Sequence, residues 1–235
     1  MRQSHSHLIA RQSDFWLARG AVLVIVALQL GIVNDLTMGP RWLAPAVELA
    51  LLIPLSIATA STLRAARSAS SLSQWQLIGR KRLRVRVLAI ALTGLSTLMN
   101  FGSLALLIEA ILSGRAGTGR TLLLDAVNIW LTNVVIFALW FWTVDRSGPA
   151  ARGLGRKNKS DFLFTQQMTA HGSQFRNWSP GFIDYLYLAY TNATAFSPAD
   201  TFPLTVRAKL LMTAESAISL VTVVLVAARA IGILN

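Results

Sequence analysis

Five apolar runs, at residues 17–36, 42–63, 87–112, 121–143 and 206–234, dominate this chain, and each is long enough to cross a bilayer with some tilt. A sixth run, residues 182–196, is shorter. As a helix it reaches only about 22 Å, less than the roughly 30 Å hydrocarbon core, so it is expected to enter the membrane and turn back. Backbone that turns inside a bilayer has to line water or protein, because lipid offers its N–H and C=O groups no partner. The expected fold is all-α and polytopic: five transmembrane helices plus one re-entrant helix, in one membrane domain over 1–235 divided into an amino-terminal three-helix part (1–120) and a second module (121–235). In a rival arrangement residues 183–202 cross fully, giving six spans and both termini inside.

Apolar residues make up 54% of the chain and charged residues only 14%, which excludes an ordinary soluble domain. The absence of cysteine rules out disulfides, thiolate metal sites and a cysteine nucleophile. A net charge of +12 on a soluble protein would suggest a nucleic-acid partner, but here Lys and Arg sit between the apolar runs. There they read as topology signals and contacts to membrane lipids, with no nucleic acid implied. With the amino terminus inside, eighteen basic residues face the cytoplasm and only Arg41, Arg115, Arg120 and Arg229 face outward. That asymmetry predicts a multi-pass membrane protein with a cytoplasmic amino terminus and an external carboxy terminus. The first run ends in Asn34 and Asp35 without a small-residue cleavage pattern, so it is expected to be retained. Trp16, Trp42, Trp140 and Trp142 flank apolar runs at headgroup depth, whereas Trp130 lies deeper and is expected to pack.

Carboxylates inside a membrane are costly and usually meet water, a cation or a partner side chain. Four are expected at bilayer depth: Glu48, Glu109, Asp125 and Glu215. Glu109 and Asp125 lie near helix ends, within reach of Arg115 or Arg120. In the fourth run Asp125, Asn128, Thr132 and Asn133 share one helical face, either lining a conduit or bonding neighbouring helices. In the last run Glu215, Ser219, Thr222 and Arg229 form one polar stripe, which fits a water-facing wall or helix packing.

Residues 187–215 carry Tyr187, Thr194, Asp200, Pro203, Thr205, Ala208, Leu210, Leu211 and Glu215 at the spacing of the pore signature of the potassium channel superfamily, which this stretch resembles. The LVAARAIGIL ending is similar to that family's LVARLVG. The resemblance implies a pore-loop-like re-entrant helix, a filter stretch at Thr194, Ala195, Phe196, Ser197, Pro198, Ala199 and Asp200, and a pore-lining helix presenting Glu215, Ser219 and Thr222. It also implies a homotetramer. Where the family has TVGYGD this chain has Ala195 to Asp200, without either glycine or the tyrosine, so potassium selectivity is not implied. A ring of Asp200 would favour cations; capping of the last helix is its other expected role. The charge count puts the loop on the cytoplasmic side, the inverted arrangement of ionotropic glutamate receptors. Most of the chain also resembles a group of uncharacterised bacterial inner-membrane proteins through Val144–Asp145–Arg146, the DFLF of 161–164 and the DYLYLAYTNATAFSPAD of 184–200.

The expected function is an oligomeric ion channel with an altered filter, weakly favouring cations. Its partners are inorganic ions and lipids, and it uses no cofactor or metal. A proton-coupled transporter using Glu48, Glu109, Asp125 or Glu215 and a non-conducting membrane scaffold are the alternatives. No inverted repeat supports the transporter. Enzyme chemistry is not expected: His5, His7 and His171 show no zinc spacing and no nearby nucleophile. The GRAGTGR of 114–120 follows no strand and lacks the Lys-Ser/Thr end of a phosphate loop. Asn158, Asn177 and Asn192 sit in glycosylation triplets that arise often by chance.

Overall fold

A computed structural model describes residues 3–32, 40, 42–68, 72–113, 119–148, 159–168, 178–195 and 200–234. The long helices are α1 (Gln3–Leu30), α2 (Leu43–Ser68), α3 (Leu72–Leu112), α4 (Gly119–Val144) and, at the carboxy end, α6 (Val206–Leu234). Between α4 and α6 come a 3-10 turn (Asp145–Ser147), a short strand β1 (Phe162–Phe164), a helical turn (Thr165–Met168), the fourteen-residue α5 (Phe182–Ala195) and strand β2 (Thr201–Pro203). Five of the helices contain stretches long and apolar enough to cross a membrane: Ser13–Leu30, Leu43–Thr62, Leu83–Leu112, Gly119–Val144 and Val206–Ala228. The chain is an α-helical, multi-pass membrane protein.

The helices overrun the apolar runs. Residues 64–86, read from sequence as a basic loop, continue α2 to Ser68 and start α3 at Leu72. Arg, Lys, Gln and Leu are strong helix formers, so a helix rooted in the membrane propagates through them into water at little cost. Pro45 occupies the first turn of α2, where its missing N–H has no intrahelical partner to lose. Pro54, by contrast, sits inside α2 and removes one ladder hydrogen bond.

Helix α4 is the hub of the bundle, packed against α6, α5, α3 and α1, while α2 lies on α3 and α1. Its buried face includes Ile129, Asn133, Ile136, Phe137 and Phe141. One apolar cluster joins Ile25, Phe137, Phe141, Phe162, Tyr185 and Leu188; another joins Ile32, Leu104, Leu107, Leu122 and Ile129. Outward-facing side chains such as Ile53, Ile57, Leu98, Phe101, Leu210 and Val224 are exposed and apolar, as a lipid-facing surface requires.

β1 and β2 pair antiparallel, Phe162 opposite Pro203 and Phe164 opposite Thr201. Three-residue strands carry no readable period, and their partners lie about forty residues apart, so an all-helical reading overlooks them. The ribbon is pinned by edge-to-face rings: Phe162 meets Phe141 at 5.1 Å and Phe164 meets Tyr185 at 5.4 Å.

Candidate functional site

In α5, Tyr185, Leu188, Ala189, Asn192 and Ala193 are buried, the helical spacing of a single inward face. Ala189 and Ala193 let the backbone approach α4 closely, and the opposite face exposes Ile183, Tyr187 and Tyr190. Two polar groups lie on the inward face, the Tyr185 hydroxyl and, toward the carboxy end, the Asn192 amide. The amide donates to Glu215 Oε2 at 2.7 Å and to the carbonyl oxygen of Met212 at 3.0 Å, both on α6.

On α6, Glu215, Ser219 and Thr222 fall on one stripe, as expected from sequence, and each is 0% exposed. The stripe faces α4 and α5 of the same chain. From α4, the Asn133 amide donates to Ser219 Oγ at 3.0 Å and to the Glu215 carbonyl at 3.4 Å. Thr222 returns its hydroxyl to the Ile218 carbonyl of its own helix at 2.8 Å. Glu215 Oε1 is enclosed without a hydrogen-bond partner. Among the described residues no Lys or Arg forms an ion pair with Glu215 or Glu48. Glu215 thus sits at the junction of three helices with one oxygen held and one unheld.

A second buried carboxyl ties the amino-terminal helices together. Glu48 of α2 accepts at Oε1 from Gln29 Nε2 of α1 at 3.0 Å and from Ser96 Oγ of α3 at 2.6 Å. Glu48 Oε2 and Gln29 Oε1 are buried without partners. The other intramembrane candidates lie apart from both centres. Asn128 donates to the Leu28 carbonyl near the end of α1 at 2.7 Å, and Thr132 donates to Asn128 Oδ1 at 3.4 Å. Asp125 is fully buried and Glu109 exposed, and both are engaged in interactions of their own.

Of the proposed filter stretch, Thr194 and Ala195 end α5 as exposed residues, and Thr194 returns its hydroxyl to the Tyr190 carbonyl. Phe196, Ser197, Pro198 and Ala199 lie outside the described residues. Asp200 precedes β2, and its carbonyl accepts from Thr165 Oγ1 at 2.8 Å. The cap of α6 is Thr205, whose Oγ1 accepts from Ala208 N–H at 3.3 Å, so Asp200 does not fill the capping role.

At the common end of α4 and α6, the segments of the VDR and DFLF motifs meet. Asp161, fully buried, takes a two-pronged pair from Arg207 through Nε and one terminal nitrogen, and accepts from Thr205 Oγ1 at 2.6 Å. Burial pushes the Asp161 carboxyl up, but these hydrogen bonds and the Arg207 charge outweigh it and hold the acid below the usual range. Asp145 accepts from Tyr185 Oη at 2.6 Å and from the Asp161 N–H at 2.7 Å, so α5 is bolted to the end of α4. Arg146 turns the chain there at φ 49° and Gly148 at φ 92°, where a Cβ would meet the Thr143 carbonyl oxygen at 2.9 Å. At its other flank α5 starts against α1: Asp14 accepts from Phe182 N–H at 3.3 Å, and Asp184 accepts from Gly181 N–H at 2.7 Å. Burial, with Asp14 close by, raises the Asp184 carboxyl.

Sequence reasoning does not single out Asn192 as a site residue. The signal available is its place on the Tyr185, Leu188, Ala189 face, where an enclosed side-chain amide has to find a partner. The fold and this site define a helical membrane protein with enclosed carboxyls in its interior. No protein family, curated protein or solved structure matches the chain.

Proposed function

We propose that this chain translocates protons across a bacterial inner membrane through the interior of its own helix bundle, alone or coupled to a solute, with Glu215 as the group that takes up and releases the proton. The observation that carries this reading is the Glu215 carboxyl, fully enclosed where α4, α5 and α6 meet, bonded by Asn192 on one oxygen and unpartnered on the other. An intramembrane carboxyl costs about 2.5–3.5 kcal/mol on insertion scales and by default marks an ion or proton path. Asn133, Ser219 and Asn192 supply donors and acceptors around it, and Glu48 with Gln29 and Ser96 offers a second protonatable centre.

In this reading α5 is re-entrant, its fourteen residues reaching about 21 Å, and brings the aqueous boundary toward mid-membrane. The charge asymmetry supports a cytoplasmic amino terminus.

A second reading, an oligomeric cation channel, is favoured by the length of α5 and the pore-signature spacing of 187–215. It needs a path other than the Glu215, Ser219, Thr222 face, which α4 and α5 of the same chain cover.

Flux into proteoliposomes of the purified protein under separate H⁺, K⁺, Na⁺ and Cl⁻ gradients tests the two. Proton flux that persists in Asp200→Asn supports the proposal; K⁺ or Na⁺ flux weakened by Asp200→Asn supports the channel, and the absence of any flux contradicts both.

A further inference from the structure

A cleft distant from Glu215 opens between α1, α2, α3 and α4 and encloses about 710 Å³, its open mouth included. Its walls are mostly aliphatic and aromatic, among them Val22, Leu52, Leu55 and Leu92, and among the described residues no carboxylate lines it. Two guanidinium groups do: Arg19 and Arg86. Arg19 donates to the Ser56 carbonyl at 3.3 Å and stacks 4.8 Å over the Trp16 ring. Arg86 Nε is buried with no hydrogen-bond partner. Neither arginine pairs with a carboxylate among the described residues. Two of the lining hydroxyls are committed elsewhere, Thr59 to the Leu55 carbonyl and Thr93 to the Ala89 carbonyl. The cleft therefore offers two guanidinium groups on a wall that is otherwise mostly apolar.

The positions along the helices order these features by depth. Counted from where the apolar stretches begin at Ser13 and Leu83, Arg19 lies about 9 Å in and Arg86 about 5 Å in, shallower than the apolar wall and within reach of the headgroups for a long side chain that turns back toward the surface. Val22 and Leu92 lie about 14 Å in, as does Leu52 from the Thr62 end of α2. Charge at the surface and apolar wall beneath is the profile of an amphiphile standing in a leaflet. Exposed Arg64, Lys81 and Arg84 on the same ends of α2 and α3 add to the attraction for an anion.

We infer that this cleft is a binding site for an anionic phospholipid, its phosphate held between Arg19 and Arg86 and one acyl chain lying along Val22, Leu52 and Leu92. The headgroup supplies the counter-charge that the two arginines lack, and the chain fills a space that packed side chains leave open. Lipid bound there would bridge α1, α2 and α3.

The test is native mass spectrometry of the delipidated full chain in detergent, titrated with phosphatidylglycerol, phosphatidylcholine or inorganic phosphate, with Arg86→Gln and Leu55→Trp alongside. Phosphatidylglycerol is expected to bind at least about tenfold more tightly than phosphatidylcholine, a difference of about 1.4 kcal/mol. Arg86→Gln is expected to erase that preference, and Leu55→Trp to weaken both lipids by filling the cleft while leaving its charge. The two variants act independently, so either decides the matter if the other does not stay monodisperse. Equal binding of the two lipids, or phosphatidylglycerol binding unchanged by both variants, overturns the inference; inorganic phosphate displacing the lipid's headgroup contact with equal affinity overturns it in favour of a free-anion site.

Discussion

The side-chain amide of Asn192 on α5 donates to Glu215 Oε2 on α6 at 2.7 Å, with Asn192 2% exposed and Glu215 fully enclosed. This bond joins the fourteen-residue α5 to the last long helix, and it leaves Glu215 Oε1 as the unheld atom of the pair. A structural pairing and a proton site make different demands on these two residues, and substitutions separate them.

Asn192→Ala removes the donor and leaves a buried carboxyl oxygen and the Met212 carbonyl short of a partner. Unmet buried groups cost about 1–3 kcal/mol each, so the variant is expected to melt well below the parent in detergent. Glu215→Gln keeps an acceptor in the same place, and its melting point is expected to change by under about 1 kcal/mol equivalent. Thermal unfolding of both proteins, followed by tryptophan fluorescence, reads the difference.

Glu48 is the corresponding knot of α1, α2 and α3. Ser96→Ala deletes the 2.6 Å hydrogen bond to Oε1 while changing little volume. A loss of about 1–2 kcal/mol of stability is expected, with Gln29→Leu costing a similar amount. The two losses are expected to be non-additive because both donors share one oxygen, which a double-mutant cycle measures.

The Asp161 pair with Arg207 predicts an acid limit. Asp161 titrates lower in the folded chain than in the unfolded one, so its contribution to stability is complete above the ordinary aspartate value of about 3.9 and fades as pH falls through the depressed folded value. Melting curves are expected to be insensitive to this pair between about pH 5 and 7 and to fall in the parent, but not in Asp161→Asn, below about pH 4. Because the Arg207 side chain is 48% exposed, solvent screening limits the coupling, and about 1–2 kcal/mol is expected from the double-mutant cycle.

Tyr185→Phe keeps the rings around Phe162 and Phe164 but removes the hydroxyl that Asp145 Oδ2 accepts at 2.6 Å. About 1–3 kcal/mol of destabilisation is expected. The loss is expected to loosen α5 first, visible as faster hydrogen exchange in Phe182–Ala195 than in α4.

The five long helices were legible because lipid requires apolar runs of their length and nothing else in the chain imitates them. Their ends were less so, since the favourable propensities of the residues around Arg82 and Lys81 carry α3 back to Leu72. Periodicity gave the Glu215, Ser219, Thr222 face but not its neighbours: which helix covers a face is decided by packing between segments remote in sequence. For the same reason Asn192 reads in sequence as part of a glycosylation triplet, although its partner Glu215 stands twenty-three residues away. The β1 and β2 ribbon joins segments remote in sequence, held together by the Phe162 ring against Phe141 and Tyr185 and by the hydrogen bonds that Asp161 and Asp200 accept from Thr205 and Thr165.

Whether Glu215 carries a proton through the bundle is read from proton entry into proteoliposomes driven by a valinomycin-set K⁺ diffusion potential, followed with an internal pH dye, for the parent chain and Glu215→Gln. Acidification is expected in the parent and a rate indistinguishable from empty vesicles in Glu215→Gln, with the variant folded and its Asn192 bond retained. Equal proton entry in both proteins would contradict the proposal, leaving Glu215 as a packing residue.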